Sequence, residues 1–135
     1  MKASARQMKI GEMSDAQDGG CLCGAVRYRA RGALRDVVNY HCGQCRRTHG
    51  HVAAYTAVEK SDLDMLEDRG LKWYRSSDRA RRGFCSECGG SIFFEFIGKT
   101  VMSIAAGTLD GPTGLRTVKD IHIEDSGDYY QIDAG

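Results

Sequence analysis

The chain has 135 residues, of which 41% are hydrophobic and 27% charged, and its formal net charge is +1. This length and composition indicate one globular domain rather than a disordered protein. The near-neutral charge gives no reason to expect nucleic acid or an anionic membrane as a partner, and no apolar run approaches the ~20 residues that a membrane helix requires.

The first predicted segment is a polar extension over residues 1–18, which precedes a single β domain over residues 19–135. The extension carries Lys2, Arg6 and Lys9 but no continuous apolar stretch, so it lacks the pattern of a secretory signal. Without an export signal we expect a cytoplasmic protein. In that compartment, paired cysteines serve in metal binding or catalysis rather than in disulfides.

Most of the remaining chain is typical of short β-strands. Extended segments are predicted at 26–29, 37–40, 51–58, 71–75, 91–97, 101–105, 115–118 and 120–123. The Gly98-Lys99-Thr100 turn joins two of these segments into a hairpin. The exception is 61–66, where Ser61 precedes acidic residues and predicts one capped helical turn. Many short strands with Gly-rich turns predict a mainly β fold with little helix.

Residues 69–82 are locally basic, and they contain Arg69, Lys72, Arg75, Arg79, Arg81 and Arg82. A run of this kind is typical of a solvent-exposed surface. The alternative is a basic rim that meets an acidic substrate.

Six cysteines occur in three close pairs, and the first and third pairs resemble each other in one respect. Cys21 and Cys23 are followed by a glycine, as are Cys85 and Cys88. Two residues between thiolates let the backbone turn both sulfurs toward one metal ion, and residues i and i+2 of an extended chain share a face. These four cysteines therefore predict a structural zinc; the alternatives are a disulfide or buried free thiols. With four thiolate ligands no coordination position stays open for catalysis.

The second pair is Cys42-Gly43-Gln44-Cys45. It is either a second, incomplete metal site or a redox dithiol. Arg46 and Arg47 follow directly, and cations of this kind favour the thiolate form of a cysteine. No βαβ pattern surrounds the pair, which argues against a thioredoxin-like domain.

Four strings of residues together carry a family resemblance. They are 21–28 (CLCGAVRY), 41–47 (HCGQCRR), 84–90 (FCSECGG) and 106–110 (AGTLD). In order and spacing the chain resembles the glutathione-dependent formaldehyde-activating enzymes, which are grouped with centromere-protein-V-like proteins. The resemblance covers about residues 19–123 and is far more specific than one CxxC motif.

The resemblance implies small packed antiparallel sheets around a structural zinc on the first and third cysteine pairs. It also implies a catalytic zinc on a CxCxxC motif. The implied reaction is the addition of the glutathione thiol to formaldehyde, which is carbon–sulfur lyase chemistry. The implied partner is therefore a small thiol such as glutathione.

The chain departs from this pattern at the catalytic motif, because Tyr40 stands where the first of three cysteines is expected. A catalytic zinc is held by three protein ligands and keeps one open position. Cys42 and Cys45 supply two, and a phenol is a poor replacement for a thiol. His49 or His51 offers a possible third ligand by folding back, whereas His41 is expected to face away from Cys42.

Two function hypotheses follow from this departure. The first is a carbon–sulfur lyase that acts on a thiol–aldehyde adduct, with Cys42, Cys45 and Tyr40 as catalytic residues. In this hypothesis Tyr40 donates a hydrogen bond to the developing alkoxide, and Arg46 and Arg47 pair with the carboxylates of a glutathione-like ligand. The second is a non-catalytic binding module that is stabilised by one zinc ion.

Overall fold

Ten strands and one α-helix form the framework of residues 16–132, which are the residues that the computed structural model describes. The strands, in chain order, are β1 (Gln17–Gly20), β2 (Arg27–Ala30), β3 (Val37–Tyr40), β4 (Ala53–Glu59), β5 (Leu63–Glu67), β6 (Leu71–Arg75), β7 (Ala80–Cys85), β8 (Ser91–Phe96), β9 (Val101–Ala105) and β10 (Thr117–Ile121). The helix, α1, spans Gly43–His49. The expected mainly β fold with little helix is confirmed.

The strands form two sheets. The small sheet has the order β1-β2-β5, and the large sheet has the order β10-β3-β4-β9-β8-β7-β6. Neighbouring strands are antiparallel except for β10, which pairs with β3 in parallel. None of the helices in the described part of the chain has the length and apolar character needed to span a bilayer.

The main core lies on the face of the large sheet that also contacts the small sheet. Tyr28 of β2 is fully buried and packs on Phe93 of β8, with a ring-centroid distance of 5.4 Å. Trp73 of β6 also stacks on Phe93, with a ring-centroid distance of 6.1 Å. The rest of this cluster is aliphatic and includes Val26, Ile92 and Ile104. Burial of these side chains is the main stabilising term that joins the two sheets.

The opposite face of the large sheet carries α1 and a second, smaller cluster. Successive strand residues point to opposite faces, so Phe94 lies on this second face although its neighbour Phe93 is in the main core. Cys45 of α1 packs here against Ala53, Tyr55 and Ala105. The large sheet is thus covered by the small sheet on one face and by α1 on the other.

One predicted element is wrong. Ser61 does not cap a helical turn over 61–66, because a short 3-10 turn at Lys60–Asp62 is followed directly by β5. Strand β5 pairs with β2 and satisfies its backbone hydrogen bonds, with Tyr28 opposite Met65 and Ala30 opposite Leu63. This tertiary pairing overrides the local helix signal.

The other segments agree more closely. The strands predicted at 26–29, 37–40, 51–58 and 71–75 and the 91–105 hairpin correspond to β2, β3, β4, β6 and β8–β9. Strand β10 overlaps the two extended segments predicted near the C-terminus. Residues 1–15 of the polar extension lie outside the described residues, and Gln17 and Asp18 belong to β1.

The packing of Phe93 leads to a stability prediction. Phe93→Ala removes a side chain that is 1% exposed and that packs against the rings of Tyr28 and Trp73. We expect the free energy of unfolding to fall by about 3–5 kcal/mol, as for other buried aromatic truncations. Phe96→Ala, at a position that is 52% exposed, is the matched control and costs less than about 1 kcal/mol. Equal losses in urea titrations of the two variants contradict this placement of the core.

Candidate functional site

Four cysteine sulfurs meet at one end of the molecule. Cys21 and Cys23 lie in the loop between β1 and β2, Cys85 ends β7, and Cys88 follows in the loop to β8. Their sulfur atoms all lie within 4.8 Å of one another, and the Cys21–Cys23 and Cys23–Cys85 sulfur distances are each 3.7 Å. For Zn–S bonds of about 2.3 Å, the edge of a thiolate tetrahedron is ~3.8 Å. The donor set therefore fits a tetrahedral metal ion.

Backbone amides point at these sulfurs. Val26 donates its N–H to the Cys21 sulfur at 3.3 Å, and the amides of Glu87 and Cys88 donate to the Cys85 sulfur at 3.3 and 3.4 Å. Amide donors of this kind stabilise negative charge on sulfur. At Cys88 the Gly90 N–H, together with that of Cys23, lowers the pKa of the thiol to about 6.

Two glycines allow this close approach. Gly89 has φ 81°, a left-handed conformation that completes the turn after Cys88 without a Cβ clash. Gly70 passes so close to the cluster that an added Cβ would lie 2.9 Å from the Cys85 sulfur and 2.7 Å from the Ala25 Cβ. The local chain is therefore shaped around the four sulfurs.

The second cysteine pair lies at a separate site, on the α1 face of the large sheet. Cys42 precedes the first residue of α1, and its sulfur accepts a hydrogen bond from the Cys45 amide at 3.2 Å. Both side chains line a cleft of about 520 Å³, together with Tyr40, Tyr55 and Phe94. Cys45 is 7% exposed, whereas Cys42 is half-buried.

Arg82 is the charged group that touches the pair most directly. It projects from β7 into the cleft, is 8% exposed, and lies with its guanidinium 4.8 Å from the centre of the Phe94 ring. Its Nε and Nη2 donate to the Gln44 side-chain oxygen at 3.0 and 2.9 Å, and Nη2 lies 3.7 Å from the Cys45 sulfur. Burial and the Cys42 side chain raise the pKa of the Cys45 thiol to about 11, although Arg82 acts in the opposite direction.

Two further cations line the cleft. Arg35 donates through Nη2 to the Tyr55 carbonyl at 2.8 Å and lies 3.5 Å from the Tyr40 hydroxyl, and Lys99 is exposed at the rim. Glu95 also borders the cleft but is paired with Lys60 and Arg81. The cleft therefore combines two thiols, two phenols and three cations with one carboxylate that is already paired with cations.

The histidines that follow the pair do not add a third ligand. His49 Nε2 lies 2.8 Å from the Tyr55 hydroxyl, and its Nδ1 lies 3.1 Å from the Cys45 carbonyl oxygen. The His51 Nδ1 lies 2.8 Å from the Tyr129 hydroxyl. Within residues 16–132, the first and third cysteine pairs form the one group of three or more Cys, His, Asp or Glu side chains close enough to hold a metal. The donors at Cys42 and Cys45 therefore do not fit a catalytic zinc.

His41, which was expected to face away from Cys42, is buried on the other side of β3. Its ring nitrogens lie 2.7 Å from the Tyr130 hydroxyl and 2.8 Å from the Asp120 carboxylate. It ties β3 to β10 and to the C-terminal segment rather than to the cleft.

Arg46 and Arg47 were predicted to pair with ligand carboxylates, but the structure does not bring them to this cleft. They line a different depression of about 650 Å³ with Gly50, His51 and Tyr129. The cations at the cleft are instead Arg35, Arg82 and Lys99. Of these three, only Arg82 was named from the sequence, as one member of the basic run at 69–82. One signal existed for Arg82: in β7 it alternates with Arg81 and Gly83, which places it on the face opposite to both.

Comparison with known proteins agrees with the family resemblance of the sequence. A family model described as glutathione-dependent formaldehyde-activating enzyme matches residues 16–125. An uncharacterised lyase of Schizosaccharomyces pombe is 29% identical over 117 residues, which cover 85% of this chain and 84% of that protein. A crystal structure of a Rhodobacter sphaeroides protein aligns with a TM-score of 0.61 and 25% identity, over 76% of this chain and 98% of the other.

The raised pKa of Cys45 predicts how stability depends on pH. Because the folded state holds this proton up to about pH 11, the protonated Cys45 thiol contributes fully to the stability of the fold below the ordinary thiol pKa of ~8.5. This stability is lost as the pH rises through the pKa of Cys45 in the folded state. Between pH 8.5 and pH 11 we expect the wild type to lose on the order of 1–2 kcal/mol more stability than Cys45→Ala. Urea titrations across this range measure the difference, and parallel curves contradict it.

Proposed function

Because the chain belongs to the glutathione-dependent formaldehyde-activating enzyme family, we propose that it is a zinc-stabilised carbon–sulfur lyase. Its substrate is an adduct of a small thiol such as glutathione with an aldehyde such as formaldehyde. The observation that carries this proposal is the cleft that brings Cys42, Cys45 and Tyr40 together beside Arg35 and Arg82. The similarity to an S. pombe lyase supports the same reaction class.

We assign a structural zinc to the first and third cysteine pairs, with Cys21, Cys23, Cys85 and Cys88 as its ligands. Four thiolate donors at tetrahedral spacing favour zinc over the hard cations, which prefer oxygen ligands. With all four positions filled, the ion holds the small sheet to the end of β7 and takes no part in the reaction.

The side chains that line the cleft supply the proton acceptor and the hydrogen-bond donor that the reaction needs. In the direction of addition, the Cys42 thiolate accepts the proton of the incoming thiol, and the substrate thiolate so formed attacks the carbonyl carbon. The Tyr40 hydroxyl donates a hydrogen bond to the carbonyl oxygen, on which negative charge develops. The resulting alkoxide takes the proton back from the Cys42 thiol, which restores the Cys42 thiolate. Cys45 keeps its own proton, and its backbone amide donates a hydrogen bond to the Cys42 sulfur. Cleavage of the adduct follows the same steps in reverse.

The cations give the cleft its preference for an anionic thiol. Arg35 is held in place by the Tyr55 carbonyl, and Lys99 stands at the rim. Both are placed to pair with the carboxylates of a glutathione-like tripeptide. Arg82 is engaged with Gln44 and lies against Cys45, so it sets the shape and charge of the cleft floor.

The second candidate is a non-catalytic binding module. The observation that favours it is the pair of cysteines without a third metal ligand, since a catalytic zinc requires three. Such a module binds the anionic thiol in the same cleft but does not accelerate the exchange between adduct and free aldehyde.

Removal of the structural zinc is expected to destabilise the protein strongly. A structural zinc contributes on the order of 10 kcal/mol to folding, and each kcal/mol corresponds to roughly 2–8 °C in melting temperature. We therefore expect chelation to lower the melting temperature by more than ~10 °C, and zinc to restore it. An unchanged melting temperature in a sample shown to be metal-free rules out the assigned role.

The activity is tested with glutathione and formaldehyde by exchange NMR of the hydroxymethyl adduct. Cys42→Ser is expected to lower the enzymatic rate at least ~10²-fold, because it removes the proton acceptor. Tyr40→Phe is expected to lower it by roughly tenfold or more, whereas Tyr74→Phe, at a position that is 62% exposed, serves as the matched control and leaves the rate unchanged.

Binding measured by calorimetry separates the two candidate functions. Glutathione binding without acceleration by the wild type identifies the module and contradicts the lyase. Equal rates for wild type and a folded Cys42→Ser variant remove Cys42 from the mechanism.

A further inference from the structure

We propose that Cys42 and Cys45 also form a reversible disulfide by exchange with small anionic disulfides, of which glutathione disulfide is the representative probe. The cleft would then carry a thiol–disulfide exchange activity in addition to the adduct chemistry. This proposal uses the residues of the proposed lyase site but does not depend on lyase activity.

The two thiols are placed to form a disulfide. Cys42 and Cys45 are three residues apart across the first turn of α1, a spacing at which side chains are neighbours. The Cys45 amide donates to the Cys42 sulfur, so this sulfur lies over the turn toward Cys45. The two side chains are close enough that hydrogen bonding to Cys42 contributes to the raised pKa of Cys45. A disulfide requires Cα atoms within about 4.4–6.8 Å, which one helical turn provides.

The thiols differ in ways that assign them different steps. Cys42 is half-buried and lines the cleft, so a disulfide bound there reaches its sulfur first. Cys45 is 7% exposed and lies beneath, beside the Arg82 guanidinium. Cys42 is therefore the attacking thiol, and Cys45 is the thiol that resolves the intermediate.

The reaction balances without any group beyond the two thiols and the disulfide. The Cys42 thiolate attacks one sulfur of RSSR, the S–S bond breaks, and RSH leaves after taking up a proton, so that Cys42 carries a mixed disulfide. Cys45 then loses its proton, with Arg82 beside the developing thiolate, and attacks the Cys42 sulfur. The second RSH leaves. The protein dithiol is oxidised by two electrons and RSSR is reduced to two RSH.

The charges at the cleft favour an anionic disulfide. Arg35, Arg82 and Lys99 border it, while Glu95 is neutralised by Lys60 and Arg81 from the other side of β7 and β8. The carboxylates of glutathione disulfide are attracted by this arrangement, whereas a small cationic disulfide such as cystamine is repelled.

The experiment uses the zinc-loaded, full-length protein, which is equilibrated anaerobically in buffers of varied reduced and oxidised glutathione. The samples are acid-quenched, alkylated and mapped by mass spectrometry. We expect a Cys42–Cys45 disulfide that forms and disappears reversibly with the buffer ratio, while the four zinc cysteines stay reduced. Dithiols that remain reduced in the most oxidising buffer overturn the proposal, as does oxidation confined to the zinc cysteines.

Two variants test the order of the steps. Cys45→Ser is expected to accumulate a glutathione mixed disulfide on Cys42, because the resolving thiol is missing. Cys42→Ser is expected to form the mixed disulfide at Cys45 at least ~10-fold more slowly, because Cys45 is buried. Equal rates of modification in the two variants contradict the assignment.

The preference for an anionic disulfide is tested with a matched pair of variants. Lys99→Glu is expected to lower the ratio of the glutathione disulfide rate to the cystamine rate several-fold, whereas Lys119→Glu, on exposed β10 away from the cleft, leaves this ratio unchanged. Equal ratios in the two variants overturn the preference for an anionic disulfide. These experiments measure thiol oxidation, whereas the lyase is tested by aldehyde exchange. A negative result in one assay therefore does not decide the other.

Discussion

The convergence of four cysteine sulfurs is the constraint on which the rest of the structure depends. Cys21 and Cys23 belong to the loop that joins the strands of the small sheet, and Cys85 and Cys88 flank the turn between β7 and β8 of the large sheet. A metal ion bound by these four sulfurs would hold the two sheets together at this end, next to the buried side chains of Ala25 and Val26. Amide donors and two glycines shape the backbone around the sulfurs.

Strand β7 connects this cluster to the cleft. Cys85 is its last residue, and Arg82 stands three residues earlier, on the opposite face of the strand. Fixing the end of β7 therefore also fixes the direction in which Arg82 enters the cleft and its contacts with Gln44 and Cys45. Strand β7 therefore positions both the four-sulfur cluster and the cleft. On the neighbouring strand β8, Phe93 and Phe94 also point to opposite faces, Phe93 into the core and Phe94 into the cleft.

Local patterns predicted the parts of the molecule that local chemistry determines. The spacing of the first and third cysteine pairs predicted a four-sulfur cluster, and alternation and turn residues predicted most of the strands. The helix α1 was not predicted, because seven residues are too few for a recognisable period. It matters to the site, since it turns Arg46 and Arg47 away from the cleft. Arg35 lies in the loop before β3 and Arg82 lies in β7. Both line the cleft that holds Cys45 as a result of tertiary packing, which no local pattern contains.

The central claim is that the six cysteines divide into four metal ligands and two metal-free thiols. An anomalous difference map from crystals of the zinc-loaded protein, collected at the zinc absorption edge, tests it most directly. The account predicts one strong peak, equidistant from the sulfurs of Cys21, Cys23, Cys85 and Cys88. A second peak bound by Cys42 and Cys45, or no peak at the four-sulfur cluster, would contradict it.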